Sequence, residues 1–192
     1  MRVWNRKNVI IDKKRFNGTA ALNGTLANSA VVDNSDGTVG IVITGHGLVA
    51  GDIIIISGTT NYDGVHEIQS VEDVNTVNIT ATYVAETPAG SETYALYFKP
   101  SGVKAWKLCE ARFTLSATGG ASENYTVTID HGAGASFDCT LDSQDMNAVA
   151  YHFTDFTELI GFLESTDALT FGYTNTNGRT WGLEIVYEVL LN

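Results

Sequence analysis

The side chains that ordinarily carry chemistry are few in this chain and thinly spaced. Its four histidines, His46, His66, His131 and His152, have no His-x-His, His-Glu-x-x-His or His/Cys partner at metal-ligand spacing. His46 stands between Gly45 and Gly47, and His131 precedes Gly132, so both read as turn residues. Cys109 and Cys139 make no disulfide framework or metal spacing and sit among strand-like residues, where a free thiol is expected as a small buried apolar group. The chain has no Gly-x-Ser-x-Gly elbow and no Gly-x-x-x-x-Gly-Lys-Ser/Thr loop. Gly132-Ala133-Gly134-Ala135 follows one strand and leads into another, so a hairpin fits it better than a phosphate cradle, which needs a helix N-terminus. The carboxylate pairs Glu158/Glu164 and Asp142/Asp145 suit a glycosidase only at separations of roughly 5–9 Å, which spacing does not supply. Asp33-Asn34-Ser35-Asp36-Gly37 resembles the start of a calcium loop, but Thr44 stands where the loop needs its last Glu, and an Asx turn is expected instead. The densest aromatic group is Tyr151, Phe153, Phe156, Phe162, Phe171 and Tyr173. It suits a core with an interface, or alternatively a carbohydrate platform. No catalytic residue, metal ligand or cofactor is assigned, and a non-enzymatic role is expected.

Charge is the more informative signal. The 192 residues carry 11 Lys+Arg against 22 Asp+Glu, a net of −11, with 44% hydrophobic residues. That excludes a disordered acidic tail, which lacks the apolar surface to offset chain entropy. It also makes nucleic acid a minority reading for a partner. The charge is unevenly placed. Residues 1–15 hold Arg2, Arg6, Lys7, Lys13, Lys14 and Arg15 against Asp12 alone, a local +5, which leaves −16 on the remainder. No run of 18 apolar residues offers a membrane-spanning helix, and Val9-Ile10-Ile11 is too short for a secretory leader, so folding in a cytoplasm is expected. The sequons at Asn17, Asn23, Asn78 and Asn124 are then by-products of an Asn- and Thr-rich chain.

The elements that must position these residues are strands. Thr, Val and Ile are abundant, glycines punctuate, and only Phe156 to Leu163 has a helix-like spacing, with an irregular strand as its equal alternative. Three regions follow. Residues 1–32 form an N-terminal anchoring arm, small and polar with isolated apolar residues, which must gain its order from something other than a core of its own. Residues 33–99 carry five short strands, among them Val39 to Thr44 and the apolar run Ile53-Ile54-Ile55-Ile56, read as a fully buried strand in a small β-barrel. Pro100-Ser101-Gly102 marks a boundary. Residues 103–192 read as an antiparallel, jelly-roll-like β-sandwich. Within it Tyr125, Val127 and Ile129 share one face, and Trp181, Leu183, Ile185, Tyr187 and Val189 are inward while Glu184 and Glu188 are outward.

The stretch Gly45-His46-Gly47-Leu48, Gly51-Asp52, Ile53 to Ile56, Ser57-Gly58 and Asn61 to Gly64, continuing to Val77-Asn78-Ile79, resembles a small β-barrel module recurrent in structural proteins of tailed bacteriophages. It is also similar to a barrel of ubiquitin-activating enzymes, whose enzymology does not carry over. Tyr125 to Gly134, Phe137-Asp138, Leu141 to Met146 and Asn177 to Glu184 resemble small phage virion proteins. Together the two stretches cover about two thirds of the chain. The resemblance implies a virion component made in the host cytoplasm, assembled in closed rings or trimers, and attached through extended arms to portal, capsid or tail proteins. A tail or head-tail accessory position is expected, with head decoration as the alternative. Arg2, Trp4, Arg6, Lys7, Lys13, Lys14, Arg15 and Phe16 are the expected partner-binding residues, the aromatics as buried anchors and the cations for steering and register. Removal of residues 1–15 is accordingly expected to leave the body folded. From another class, a host-glycan-binding module would use Phe156 and Tyr173.

Overall fold

Alternating apolar residues and frequent turn glycines leave the chain one way to bury its side chains, by pairing strands and stacking the resulting sheets. The computed structural model describes residues 9–131, 135–158 and 161–191, and the fold is all-β and sandwich-like. In chain order the strands are β1 (Val9–Gly18), β2 (Asn23–Thr25), β3 (Val32–Asp33), β4 (Thr38–Val42), β5 (Ile53–Ser57), β6 (Gly64–Asp73), β7 (Thr76–Thr80) and β8 (Thr93–Phe98). There follow β9 (Val103–Leu115), β10 (Asn124–Asp130), β11 (Cys139–Asp145), β12 (Tyr151–Asp155), β13 (Leu163–Glu164), β14 (Ala168–Gly172) and β15 (Trp181–Leu191). Every pairing among the described residues is antiparallel.

One sheet runs β1-β15-β9-β12, with β13 beside β9. The other runs β11-β10-β14-β8-β5-β6-β7-β4-β3, with β2 beside β8. The first sheet packs on the β11-β10-β14-β8 half of the second through an aromatic core. Phe113 stacks on Tyr125 at 4.3 Å, Phe98 meets Tyr187 at 4.9 Å and Trp106 at 5.9 Å, and Trp106, Phe171 and Tyr173 are buried. The other half of the second sheet curls on itself. Leu26 N–H donates to Glu92 O and the next amide, Ala27 N–H, donates to Val42 O at 2.9 Å. That segment joins β8 back to β4 and closes a barrel-like ring around Val39, Ile41, Ile54, Ile68, Val77 and Ile79, all buried.

Four expectations change. The 1–32 region is part of the body from Val9 onward: β1 pairs with β15 over ten residues, from Val9↔Leu190 to Gly18↔Trp181. Its isolated apolar residues Phe16, Leu22, Leu26 and Val31 are all buried, so the missing core is supplied by the rest of the chain. The boundary at 100–102 is crossed by hydrogen bonding, because β8 pairs with β5 on one side and with β14 on the other. The Ile53–Ile56 strand is buried on one face alone, at Ile54 and Ile56. Cys139 is exposed, since β11 is the terminal strand of its sheet, and Cys109 is half-buried at a bulge in β9 where the register against β15 slips between Val186 and Tyr187. Of the Phe156 to Leu163 stretch, Phe156 is buried and Leu163 opens β13, while Leu159 and Ile160 lie outside the described residues.

Candidate functional site

The polar residues of the barrel motif are engaged in turns. His46 is buried; its Nδ1 accepts from Leu48 N–H at 3.0 Å, so Nε2 carries the proton and donates to Asp73 O at 3.0 Å. Burial lowers the pKa of this imidazole, against backbone contacts that raise it. Gly47 adopts φ +52 with Ala20 so close that a side chain would press on its Cβ and N at 3.0 Å, which explains glycine here. Asp63 Oδ1 accepts from both the amide and the hydroxyl of Thr59, and Asp33 and Asp36 accept from Ser35 and Thr38 amides as Asx turns. Asp142 and Asp145 lie three residues apart on β11 and leave opposite faces of it.

His152, Asp142 and Thr154 come together, but in a clamp. His152 Nε2 donates to Asp142 Oδ2 at 2.8 Å, and the Thr154 hydroxyl donates to the same oxygen at 2.7 Å while lying 3.0 Å from that ring nitrogen. A nucleophile and its orienting acid sit on opposite nitrogens of the imidazole; here both sit on one. The contact ties β12 to β11, the terminal strands of the two sheets. A second tie is Asp167, buried, which accepts from Glu164 N–H at 2.9 Å and from His131 Nδ1 at 3.1 Å.

The outward face of the β1-β15-β9-β12 sheet is the place where charged and aromatic residues converge. Register across β1, β15, β9 and β12 sets three rows: Asn17–Gly182–Thr114–Tyr151, Arg15–Glu184–Arg112–Phe153 and Lys13–Val186–Glu110–Asp155. The middle row is continuous. Arg15 Nε donates to Glu184 Oε2 at 2.5 Å, Arg112 Nη1 donates to Glu184 Oε1 at 3.2 Å, and the Arg112 guanidinium lies over Phe153 at 5.5 Å. Arg112 also reaches Glu110, and Lys13 Nζ stands 3.9 Å from Glu184. The hydrogen bond from Arg15 is the main reason that the Glu184 carboxyl titrates below its ordinary range, with the charges of Arg15, Lys13 and Arg112 adding to it. In the first row Gly182 has no side chain, so a shallow depression of about 380 Å³ opens over it, walled by Arg15, Arg112 and Tyr151.

The expected partner-binding residues therefore divide. Lys13 and Arg15 lie on this face. Lys14 points to the other side, with Nζ 5.1 Å from the Phe16 ring, in a cleft of about 200 Å³ shared with Lys99 and Tyr187. Phe16 is 6% exposed and packs edge-on against Phe98 at 6.5 Å, so it anchors the chain to itself. Arg2, Trp4, Arg6 and Lys7 lie outside the described residues. The aromatic group divides too. Phe156, Phe171 and Tyr173 are core, whereas Tyr151 and Phe153 are 55% and 41% exposed. The roles of Glu184, Glu110 and Arg112 went unread in the sequence; the outward phase of β15 was the available signal for Glu184. Comparison with protein-family models, curated proteins and solved structures finds no match to this chain.

Proposed function

We propose that this chain is a non-enzymatic structural component of a tailed-phage particle, in a tail or head-tail accessory position, attached through its N-terminal segment. The observation that carries the reading is the placement of β1. It is a basic strand, with Lys13, Lys14 and Arg15 against Asp12, at the edge of its sheet among the described residues of an otherwise acidic protein, and the basic residues Arg2, Arg6 and Lys7, with Trp4, precede it in the sequence. The cations of residues 1–8 favour an acidic neighbour among portal, capsid or tail proteins, and Trp4 among them supplies a buried anchor. The resemblance of the Gly45 to Gly64 stretch to phage barrel modules supports the same context. Head decoration is the alternative position, and assembly would take place in the host cytoplasm.

The test is deletion of residues 1–8, followed by unfolding measurements and by quantifying the protein on purified particles. The truncated chain is expected to keep its stability and to be missing from particles; normal occupancy would sink the proposal. A second reading, binding of a host glycan, is favoured by the Gly182 depression with the exposed Tyr151 ring at its side. Glycan-array binding lost in Tyr151→Ala would support it. Phe156→Ala and Tyr173→Ala do not test it, because Phe156 and Tyr173 are buried and both substitutions would cut into the core.

A further inference from the structure

The five-stranded sheet has two edges among the described residues: β1 on one side and, on the other, β12 along Glu110–Thr114 of β9, with the short β13 further along at Ala105 and Trp106. Its strands alternate in direction, so β1 and β12 run antiparallel to one another. Two copies in the same orientation, side by side, would therefore place β12 of one antiparallel to β1 of the next. Such a head-to-tail contact repeats, forming a ring where the rotation between copies closes and an open filament where it does not.

Hydrogen-bond phase permits the contact. Leu115 N–H donates to Ala150 O and Phe156 N–H donates to Cys109 O, so the even residues of β12 bond to β9. Tyr151, Phe153 and Asp155 then turn their amides and carbonyls to the free edge. Ser116 N–H donates to Thr180 O, which assigns the even residues of β15 to β9 and the odd ones to β1. Across the register with β15 this leaves Ile11, Lys13, Arg15 and Asn17 facing the free edge of β1. Lys13 N–H agrees: its hydrogen bond goes to the Asp12 carboxylate at 2.7 Å.

Side chains match in the same register. Continuing the three rows without stagger brings Asp155 opposite Lys13, Phe153 opposite Arg15, and Tyr151 opposite Asn17 of the next copy. That is an ion pair, a cation over an aromatic ring, and an aromatic ring against an amide. These groups are open to solvent in the single chain: Tyr151 is 55% and Phe153 41% exposed, and Ile11 on the opposite edge is 65% exposed.

From this juxtaposition we propose that β1 of one copy pairs antiparallel with β12 of a second copy, in the register Lys13↔Asp155 and Arg15↔Phe153. In the single chain Asp12 holds the Lys13 amide and blunts the edge; on pairing it yields that amide and keeps the Tyr187 hydroxyl, which donates to it at 3.2 Å. The pairing is independent of the particle reading, since removal of residues 1–8 leaves both edges whole.

The test uses the full chain in a concentration series by sedimentation velocity. The wild type is expected to associate, and Lys13→Glu or Asp155→Lys alone to weaken association roughly tenfold or more, because each sets like charges opposite one another. The Lys13→Glu/Asp155→Lys double variant is expected to associate as the wild type does. Both positions are exposed, so each variant is expected to fold, and circular dichroism of each variant checks this. Separately, a Lys13→Cys/Asp155→Cys chain in a Cys109→Ser/Cys139→Ser background, which removes the native free thiols, is expected to give a ladder of covalently linked copies on oxidation. Three strand spacings, about 14 Å, separate the two edges within one chain, too far for an internal disulfide. A wild type that stays monomeric throughout the series, single reversals that associate unchanged, a double variant that stays apart, or the absence of a ladder each overturns the proposal.

Discussion

Replacing Phe16 by Ala separates a β1 that belongs to the body from an arm that merely leans on it. Phe16 is 6% exposed and its ring meets Phe98 at 6.5 Å and Phe171 at 6.1 Å, one from β8 and one from β14. Truncating a buried Phe to Ala costs about 3–5 kcal/mol, from lost transfer free energy together with the cavity left behind. β1 is an edge strand beside a cleft of about 200 Å³, so its surroundings are free to relax and the lower end, about 3 kcal/mol, is expected. At about 2–4 °C per kcal/mol for a chain of this size, the melting temperature should fall by roughly 6–12 °C. Guanidinium unfolding followed by the fluorescence of the buried Trp106 and Trp181 reads the loss directly. Ile11→Ala is the control: Ile11 is 65% exposed, and its truncation should change stability by no more than about 0.5 kcal/mol. Equal effects of Phe16→Ala and Ile11→Ala would refute the docking of β1.

Deletion of residues 1–8 should leave the unfolding midpoint unchanged. Deletion of residues 1–15 should lower it sharply, because it removes most of the ten-residue pairing with β15. His46→Ala should cost roughly 1–3 kcal/mol at neutral pH by leaving the Leu48 amide and the Asp73 carbonyl without their partner. The wild type should also lose stability as pH falls below 6.5, where the unfolded chain binds a proton that the buried imidazole refuses; His46→Ala should flatten that slope in a pH series of denaturation curves. Glu184 has its folded pKa lowered from 4.5, so its contribution is whole above that pH and fades as acid titrates it through the lower folded value. Glu184→Gln should cost about 1 kcal/mol at neutral pH and remove that acid limb.

Strands that alternate within a short window were legible from the sequence. Tyr125, Val127 and Ile129, and the inward residues of β15 from Trp181 to Val189, are buried as the period of two requires. The turn roles of His46 and of Asp33 to Gly37 followed from neighbouring glycines and short polar side chains. What stayed hidden depends on partners far along the chain. Phe16, Leu22, Leu26 and Val31 look isolated because each fills a gap in a core built by other strands, and nothing local to residues 9–18 announces β15 as their partner. The outward rows were invisible for the same reason, since Arg15 and Glu184 stand 169 positions apart. Cys139 and Ile53 were misplaced because residue type reports a preference for burial, whereas strand position and facing decide it.

The proposed role as a particle component attached through the N-terminal segment is tested most directly by cryo-electron microscopy of the intact particle. The account predicts copies of this chain in the reconstruction, with residues 1–8 buried against a neighbouring virion protein. A particle in which the chain is present at full occupancy while that segment faces solvent, or from which the chain is absent, would contradict it.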